Sequence, residues 1–175
     1  NHNTSELIVP EKKYTEPIDV NESCTVIAQS FFEGKPVSKA ASLKLEKITS
    51  KQATQVSLVI EGTLKMSVFN GDWEEVPNFD TMKPDAVEFV GEVTPKPEAE
   101  LQGRLFEGYI KVDRDDMHIF ALTSDDGSNL YVHDELVIDN DGLHGPQQIN
   151  GSIALEKGWH PIRVEWFNKT GGATL

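Results

Sequence analysis

The chain has 175 residues, 29 acidic against 16 basic side chains, a formal charge of −13 and a single cysteine. That length bounds it to one or two small domains, and the acidity argues against phosphate backbones and anionic lipid surfaces while leaving neutral glycans and cations open as partners. No apolar run approaches the roughly 20 residues of a membrane span, no basic-then-apolar leader opens the chain, and a lone Cys24 gives no disulfide framework. A mature piece of a longer protein would look the same. Asn-x-Ser/Thr triplets stand at Asn3, Asn21, Asn150 and Asn168, acceptors only in a eukaryotic secretory pathway.

In chain order, short apolar or alternating runs are separated by Gly, Pro, Asn and Asp with hardly a helical period, which predicts an all-β protein. The first strands are expected over 24–32 and 38–48, joined by a tight reversal at Glu33-Gly34-Lys35-Pro36. Cys24 lies in the first of these apolar patterns and is expected to be buried. The polar stretch 49–55 has no apolar face and reads as a linker, placing a boundary near residue 52. Further strands are expected over 57–69, 106–112, 117–123, 129–132, 136–139, 151–155 and 160–167. Between the first two of these, 75–100 holds Pro77, Pro84, Pro95 and Pro97 and reads as a long ordered loop pinned by Trp73 and Phe79, with room for one short strand. Alternation sets Phe106, Gly108, Ile110 and Val112 on one face, Phe120 and Leu122 on another, and Ile162, Val164 and Trp166 on a third. So many half-buried strands need a sandwich or barrel to cover them.

Several motifs carry a resemblance. Gly108-Tyr109-Ile110, Ser124-Asp125-Asp126-Gly127-Ser128 followed by Leu130, Asp139-Asn140-Asp141-Gly142-Leu143-His144-Gly145, then Gly151, Leu155, Gly158, His160 and Gly171-Gly172-Ala173 together resemble the PA14 domain, a β-sandwich module of bacterial toxins, adhesins and glycoside hydrolases. Trp73, Pro77, Phe79 and Pro84 look like its start, so residues 52–175 are assigned to a PA14-like domain. The chain departs from the family where it has His133-Asp134-Glu135 in place of an Asp-Gly hairpin, and where it stops at Leu175 before the family's last strand would end. Residues 1–51, through Tyr14 to Ile18, Cys24 to Ala28 and Gly34 to Ser38, are similar to part of a chitobiase/β-hexosaminidase C-terminal module, a small immunoglobulin-like β unit, with Asn3 to Glu6 standing where an earlier turn would be. The two side by side resemble the C-terminal region of secreted β-N-acetylhexosaminidase-like glycoside hydrolases. The resemblance implies a secreted, periplasmic or cell-surface location, a glycan ligand, and a catalytic domain of the same polypeptide as partner.

The adjacent carboxylates Asp125 and Asp126 would point to opposite faces of an extended strand and converge only on a bent backbone, of which a cis Asp-Asp peptide is one form. Calcium-dependent lectins that resemble PA14 domains hold the ion with such a pair and an Asn. By that resemblance Asp125, Asp126 and Asn168 are the candidate calcium ligands, and the same residues with His144 are candidates for contacting glycan. The alternative stays open that one Asp merely caps the turn beside Gly127, with no metal, and that His144 is a structural turn residue. Asp139-Asn140-Asp141-Gly142 has the oxygen spacing of a calcium loop but lacks the closing Glu of an EF-hand. His2, His118, His133 and His160 have no zinc-like spacing and read as surface or sheet residues. Trp73 and Trp159 would serve as a sugar platform if exposed, and Trp166 reads as core. No carboxylate pair, nucleophile or phosphate loop stands out, so no activity is expected of this chain itself. The reading is a non-catalytic module that binds or positions glycan for a glycoside hydrolase, with no nucleic-acid or membrane partner. Two alternatives are a purely structural or interaction module and a calcium-dependent adhesin.

Overall fold

The computed structural model describes residues 13–57, 59–95 and 99–175, and the chain divides into two compact units, 1–49 and 50–175. Asn3 to Glu6 and His2 lie outside the described residues. Among those described, no helix is long and apolar enough to cross a membrane.

In the first unit β1 (Cys24–Ala28) pairs antiparallel with β4 (Ala41–Leu45), setting Cys24 against Leu45, Val26 against Leu43 and Ala28 against Ala41. Directly opposed residues share a face, so one side of this ribbon is wholly apolar. The run expected to continue to residue 32 breaks at Gln29 and Ser30, whose Nε2 and backbone N–H donate to the Ser38 carbonyl (2.9 Å) and Oγ (3.0 Å). A nested hairpin follows, β2 (Phe31–Phe32) with β3 (Lys35–Pro36), turning through Glu33 at φ 48° and Gly34 at φ 75°. Two successive positive φ values are what a primed turn demands, and Gly34 supplies one without a steric penalty. No described residue of this unit is buried; Cys24, expected inside, is half-exposed because, among the described residues, no second layer covers these two strands.

The second unit is an antiparallel sandwich. Its larger sheet orders β10 (Glu135–Asn140), β9 (Ser128–Val132), β12 (Gly158–Asn168), β7 (Gln102–Val112), β5 (Leu64–Asn70) and β6 (Ala86–Val90). The smaller pairs β11 (Gln147–Leu155) with β8 (Asp116–Ser124). Between them Met66, Phe106, Leu130, Val132, Ile138 and Val164 meet Leu122, Ile153 and Leu155 in the main core. At roughly 1.5–3 kcal/mol per large apolar side chain removed from water, this cluster supplies most of the driving force. β11 passes so close over β10 that a Cβ at Gly151 would lie 2.1 Å from the Val137 carbonyl oxygen. Only glycine permits that crossing, and β10 accommodates it with a register shift between Leu136 and Ile138.

The strands expected in this unit are present with longer ends, except that the run expected from residue 57 begins its pairing at Leu64; in the first unit the strand expected over 38–48 is confined to Ala41–Leu45. The 75–100 segment contains a 3-10 turn (Phe79–Thr81) capped by the Asn78 side chain, and the short strand β6. Phe79 packs on Phe69 and Leu105, with Trp73, Val76 and Met82, forming a second core on the outer face of the larger sheet. The 49–55 stretch is not a free linker. From Lys51 onward it is hydrogen-bonded to the sandwich: Lys51 N–H to the Ala154 carbonyl (2.8 Å), Glu156 N–H to the Lys51 carbonyl (3.0 Å) and Thr54 N–H to the Trp159 carbonyl (2.8 Å). The stretch carried little sequence signal because its docking rests on backbone groups, a Lys51–Glu135 ion pair (2.8 Å) and the small Ala53 side chain over Gly158, none of which makes an apolar pattern.

His133 and His160, read as unrelated, are partners. His160, fully buried, sets Nε2 2.7 Å from the Glu156 carbonyl oxygen and Nδ1 2.8 Å from Nε2 of His133. Donation to the carbonyl makes Nδ1 the acceptor and His133 Nε2 the donor. His133 occupies the left-handed position of the β9–β10 turn at φ 54°, and this bond together with its N–H to the Pro161 carbonyl (2.9 Å) holds it there.

Two outcomes are expected. A fragment of residues 50–175 should melt as a cooperative unit, whereas one starting at Val56 loses three backbone bonds worth about 0.5–1.5 kcal/mol each and should melt several degrees lower; equal melting by circular dichroism would contradict the docking of 51–54. Burial, then the proximity of His160 and Lys51, push the His133 pKa below its ordinary value. The fold therefore favours neutral His133, and this contribution is complete above the unfolded-state value of about 6.5 and is lost as pH falls below it. Melting temperature should drop from pH 7 to pH 5, and His133→Asn, which tolerates positive φ, should flatten that part of the profile.

Candidate functional site

β8 ends at Ser124 and β9 begins at Ser128, so Asp125-Asp126-Gly127 must reverse the chain between them. The reversal is built with trans peptides and with Asp126 at φ 53°, not with the cis Asp-Asp bond considered above. A short polar side chain tolerates that region where a bulky one does not. Beneath the turn lies a buried polar knot. Ser124 Oγ donates to the Asp126 carbonyl (2.8 Å), lies 2.7 Å from Ser128 Oγ, and accepts from Asn140 Nδ2 (2.9 Å); Gln147 Nε2 donates to Asn140 Oδ1 (2.6 Å).

The two carboxylates have different surroundings. Asp126 is buried, and its oxygens accept one backbone N–H from each of two loops: Oδ1 from His144 (3.3 Å) and Oδ2 from Lys169 (2.8 Å). Its own N–H returns to the His144 carbonyl (2.9 Å). Asp125 is fixed by its backbone, with N–H to the Thr174 carbonyl (3.0 Å) and its carbonyl accepting from Trp166 Nε1 (3.1 Å). Its carboxylate is met by the neighbouring Asp126 N–H and lies against Gly172, where a Cβ would be 3.2 Å from Oδ2. Burial first, then the charge of Asp126, hold the Asp125 pKa above the ordinary carboxylate value. The pair sets a carboxylate held by two loop N–H groups beside one whose charge is disfavoured by burial and by its neighbour, with His144 and the Asp126 N–H acting in the opposite sense.

Asn168, the last residue of β12, completes the arrangement. It is fully buried; Nδ2 donates to the Ala99 carbonyl (3.0 Å), and Oδ1 has no hydrogen-bond partner. That donation fixes the amide orientation, so the orphan is the oxygen. A buried carbonyl oxygen without a donor is costly, and this one is one residue from Lys169, whose N–H holds Asp126. Two carboxylates and an amide oxygen are the hard donors Ca²⁺ takes, so the residues present fit such an ion. Among the described residues no group of three or more His, Cys, Asp or Glu is poised for a metal; Asn168 is what would make the set three. Its burial also closes its glycosylation triplet to modification in the folded state.

His144 keeps both ring nitrogens on its own loop, Nδ1 2.9 Å from the Gly145 carbonyl oxygen and Nε2 3.0 Å from that of Asn140. Asp141 is equally committed, Oδ1 accepting from Val76 N–H and Gly142 N–H (2.7 Å each). Trp166 is buried, Trp73 packs edge-on against Phe79, and Trp159 is half-buried beneath Lys111, 5.3 Å from the ring centre. The sequence reading missed the Ser124-Ser128-Asn140 knot, although the two serines bracketing the Asp pair are its visible trace. It also missed Ala99 and Glu100, which meet Asn168 and Gly171 only through the fold.

No curated protein matches the chain. Among solved structures, the PA14 domain of the MpAFP antifreeze protein aligns with a TM-score of 0.57 at 14% identity, covering 72% of this chain and 84% of that one. A β-glucosidase from Kluyveromyces marxianus in complex with glucose aligns at 22% identity over 59% of this chain with a TM-score of 0.47, and a GH31 α-xylosidase from Xanthomonas citri at 23% over 64% with a TM-score of 0.47. This chain spans 14% and 13% of those two enzymes. The PA14 domain model matches residues 82–175, which is more than half of the sequence, and takes in β6 to β12 with the Asp125-Asp126 turn and Asn168: the chain belongs to the PA14 domain family.

Proposed function

We propose that this chain is a non-catalytic, carbohydrate-engaging module of a secreted glycoside hydrolase of the β-N-acetylhexosaminidase-like kind, and that it contacts glycan through Ca²⁺ held by Asp125, Asp126 and Asn168. The observation that carries the reading is the buried, partnerless Asn168 Oδ1, one residue from the Lys169 N–H that holds Asp126, together with the Asp125 carboxylate, whose charge is disfavoured by burial and by Asp126. When bound, the ion would supply open coordination positions to which vicinal sugar hydroxyls bind as further hard oxygen ligands. Asp126 also joins the His144 and Lys169 loops, Ala99 fixes the Asn168 amide, and Gly172 leaves the Asp125 carboxylate accessible. His144 takes a positioning place, since its ring is engaged by its own loop. Residues 1–51 are read as part of a chitobiase-type module joining this domain to its catalytic partner, a reading supported by the one-sided apolar ribbon of β1 and β4.

A second reading, a module that only packs on a partner, draws on that same apolar ribbon and on the half-buried or buried state of all three tryptophans. A free-standing calcium-dependent adhesin would use the same site.

Calcium should raise the melting temperature by mass action, by about 2.7 kcal/mol at a hundredfold excess over the dissociation constant, and EDTA should reverse the gain. A glycan array should then lose its hits on chelation. A melting temperature flat up to roughly 10 mM calcium, well above the usual range for extracellular sites, removes the metal, and an array empty in both conditions leaves the packing role.

The unequal surroundings of the pair predict unequal variants. Asp125→Asn should abolish the calcium response while leaving the calcium-free protein as stable or more so, because it relieves burial of a charge and repulsion from Asp126. Asp126→Asn should lose the response and also destabilise the calcium-free protein by about 1–3 kcal/mol, since one backbone N–H would be left facing an NH₂ group. Chemical denaturation in EDTA separates the two.

A further inference from the structure

The rim of this site has a charge arrangement that bears on which glycans it can take, an inference that rests on the glycan reading above. Lys169 follows Asn168 directly and donates its backbone N–H to Asp126 Oδ2, which brings a cationic residue to this loop. Its ammonium is engaged by Asp72 at 3.2 Å and Glu74 at 3.1 Å. The lysine side chain is only 30% exposed, whereas the Asp72 and Glu74 side chains are 63% and 75% exposed, so the outward charges are the carboxylates. A divalent ion would cancel Asp125 and Asp126. What then remains is one ammonium against two carboxylates, with the Glu100 carboxylate on the neighbouring Gly171 N–H and Glu75 beside Glu74 in the same surface depression. At physiological salt these charges act over about 8 Å, the scale of one or two sugar units.

We propose that Asp72 and Glu74 determine specificity: by engaging Lys169 they keep the rim of the loaded site negative, so that it accepts neutral oligosaccharides and excludes those bearing carboxylate or sulfate. A free Lys169 at this position would do the reverse, offering an ammonium to an acidic substituent next to the ion. The two acids touch no residue assigned to the cation other than through Lys169, and exposed ion pairs contribute little to stability. Their removal therefore isolates selectivity from folding.

The test uses the whole chain on an array of neutral oligosaccharides and their uronate- or sulfate-bearing counterparts in calcium, with titrations of the strongest neutral hit and its acidic analogue. The wild-type protein should favour the neutral member at least about five-fold at low salt, with the preference shrinking as salt screens it. Asp72→Asn with Glu74→Gln should melt within about 2 °C of wild type, keep the neutral affinity, and bring the acidic analogue to parity or better. Adding Lys169→Met to that pair should restore rejection of the acidic analogue. Equal binding of both ligands by the wild type overturns the specificity assignment while leaving the glycan reading intact. Discrimination that survives the double variant overturns the roles of Asp72 and Glu74. An array without hits in calcium overturns the glycan reading and this proposal together.

Discussion

The two oxygens of one buried carboxylate, Asp126, hold the loop end of the sandwich together. One takes the His144 N–H and the other the Lys169 N–H, so the turn after β8, the loop before β11 and the segment after β12 are fixed to a common point. These three segments come from both sheets and are far apart in sequence. Without a shared acceptor each would have to satisfy its backbone alone at the rim of the core. The left-handed backbone of Asp126 belongs to the tight reversal between β8 and β9, and the Ser124, Ser128 and Asn140 bonds beneath it help hold that conformation. The same fixing separates Asp125 from Asp126 in role. Asp125 is fixed through its backbone, to Thr174 and Trp166, and its carboxylate joins none of the three segments that Asp126 ties together.

Most of the fold was legible because antiparallel strands with one covered face write alternation into the sequence. Phe106, Ile110 and Val112, then Ile162 and Val164, declared the main core directly. The Asp125-Asp126-Gly127 reversal was equally plain, since a turn needs residues that tolerate unusual backbone. What could not be read was anything carried by backbone alone or by long-range pairing of unlike segments. The docking of Lys51 and Thr54 uses peptide groups that every residue has. The His133–His160 bond spans β9 to β12 with a separation set by the sheet order and not by any spacing motif. Asn168 showed only as an Asn near a glycine loop; that its amide nitrogen is anchored at Ala99 and its oxygen is left bare is a property of three dimensions.

The two units illustrate the same limit from opposite directions. The second has two sheets and therefore an inside, so hydrophobic burial can specify it. The first has comparable alternation, with Val26 opposite Leu43 and Cys24 opposite Leu45, yet among its described residues nothing is enclosed. Pattern predicts which side of a strand wants cover and is silent on whether cover exists.

The bonds of residues 51–54 have a mechanical meaning. Tension applied through the N-terminal unit reaches the sandwich at Lys51, whose N–H and carbonyl straddle Leu155 by bonding to Ala154 and Glu156, and at Thr54, bonded to Trp159. Ala154 lies on β11 and Trp159 on β12, so a pull on the segment would load the small sheet and the large one together, through backbone bonds that are separate from the ladder between β12 and β7 and from the Asp126 clasp at the loop end.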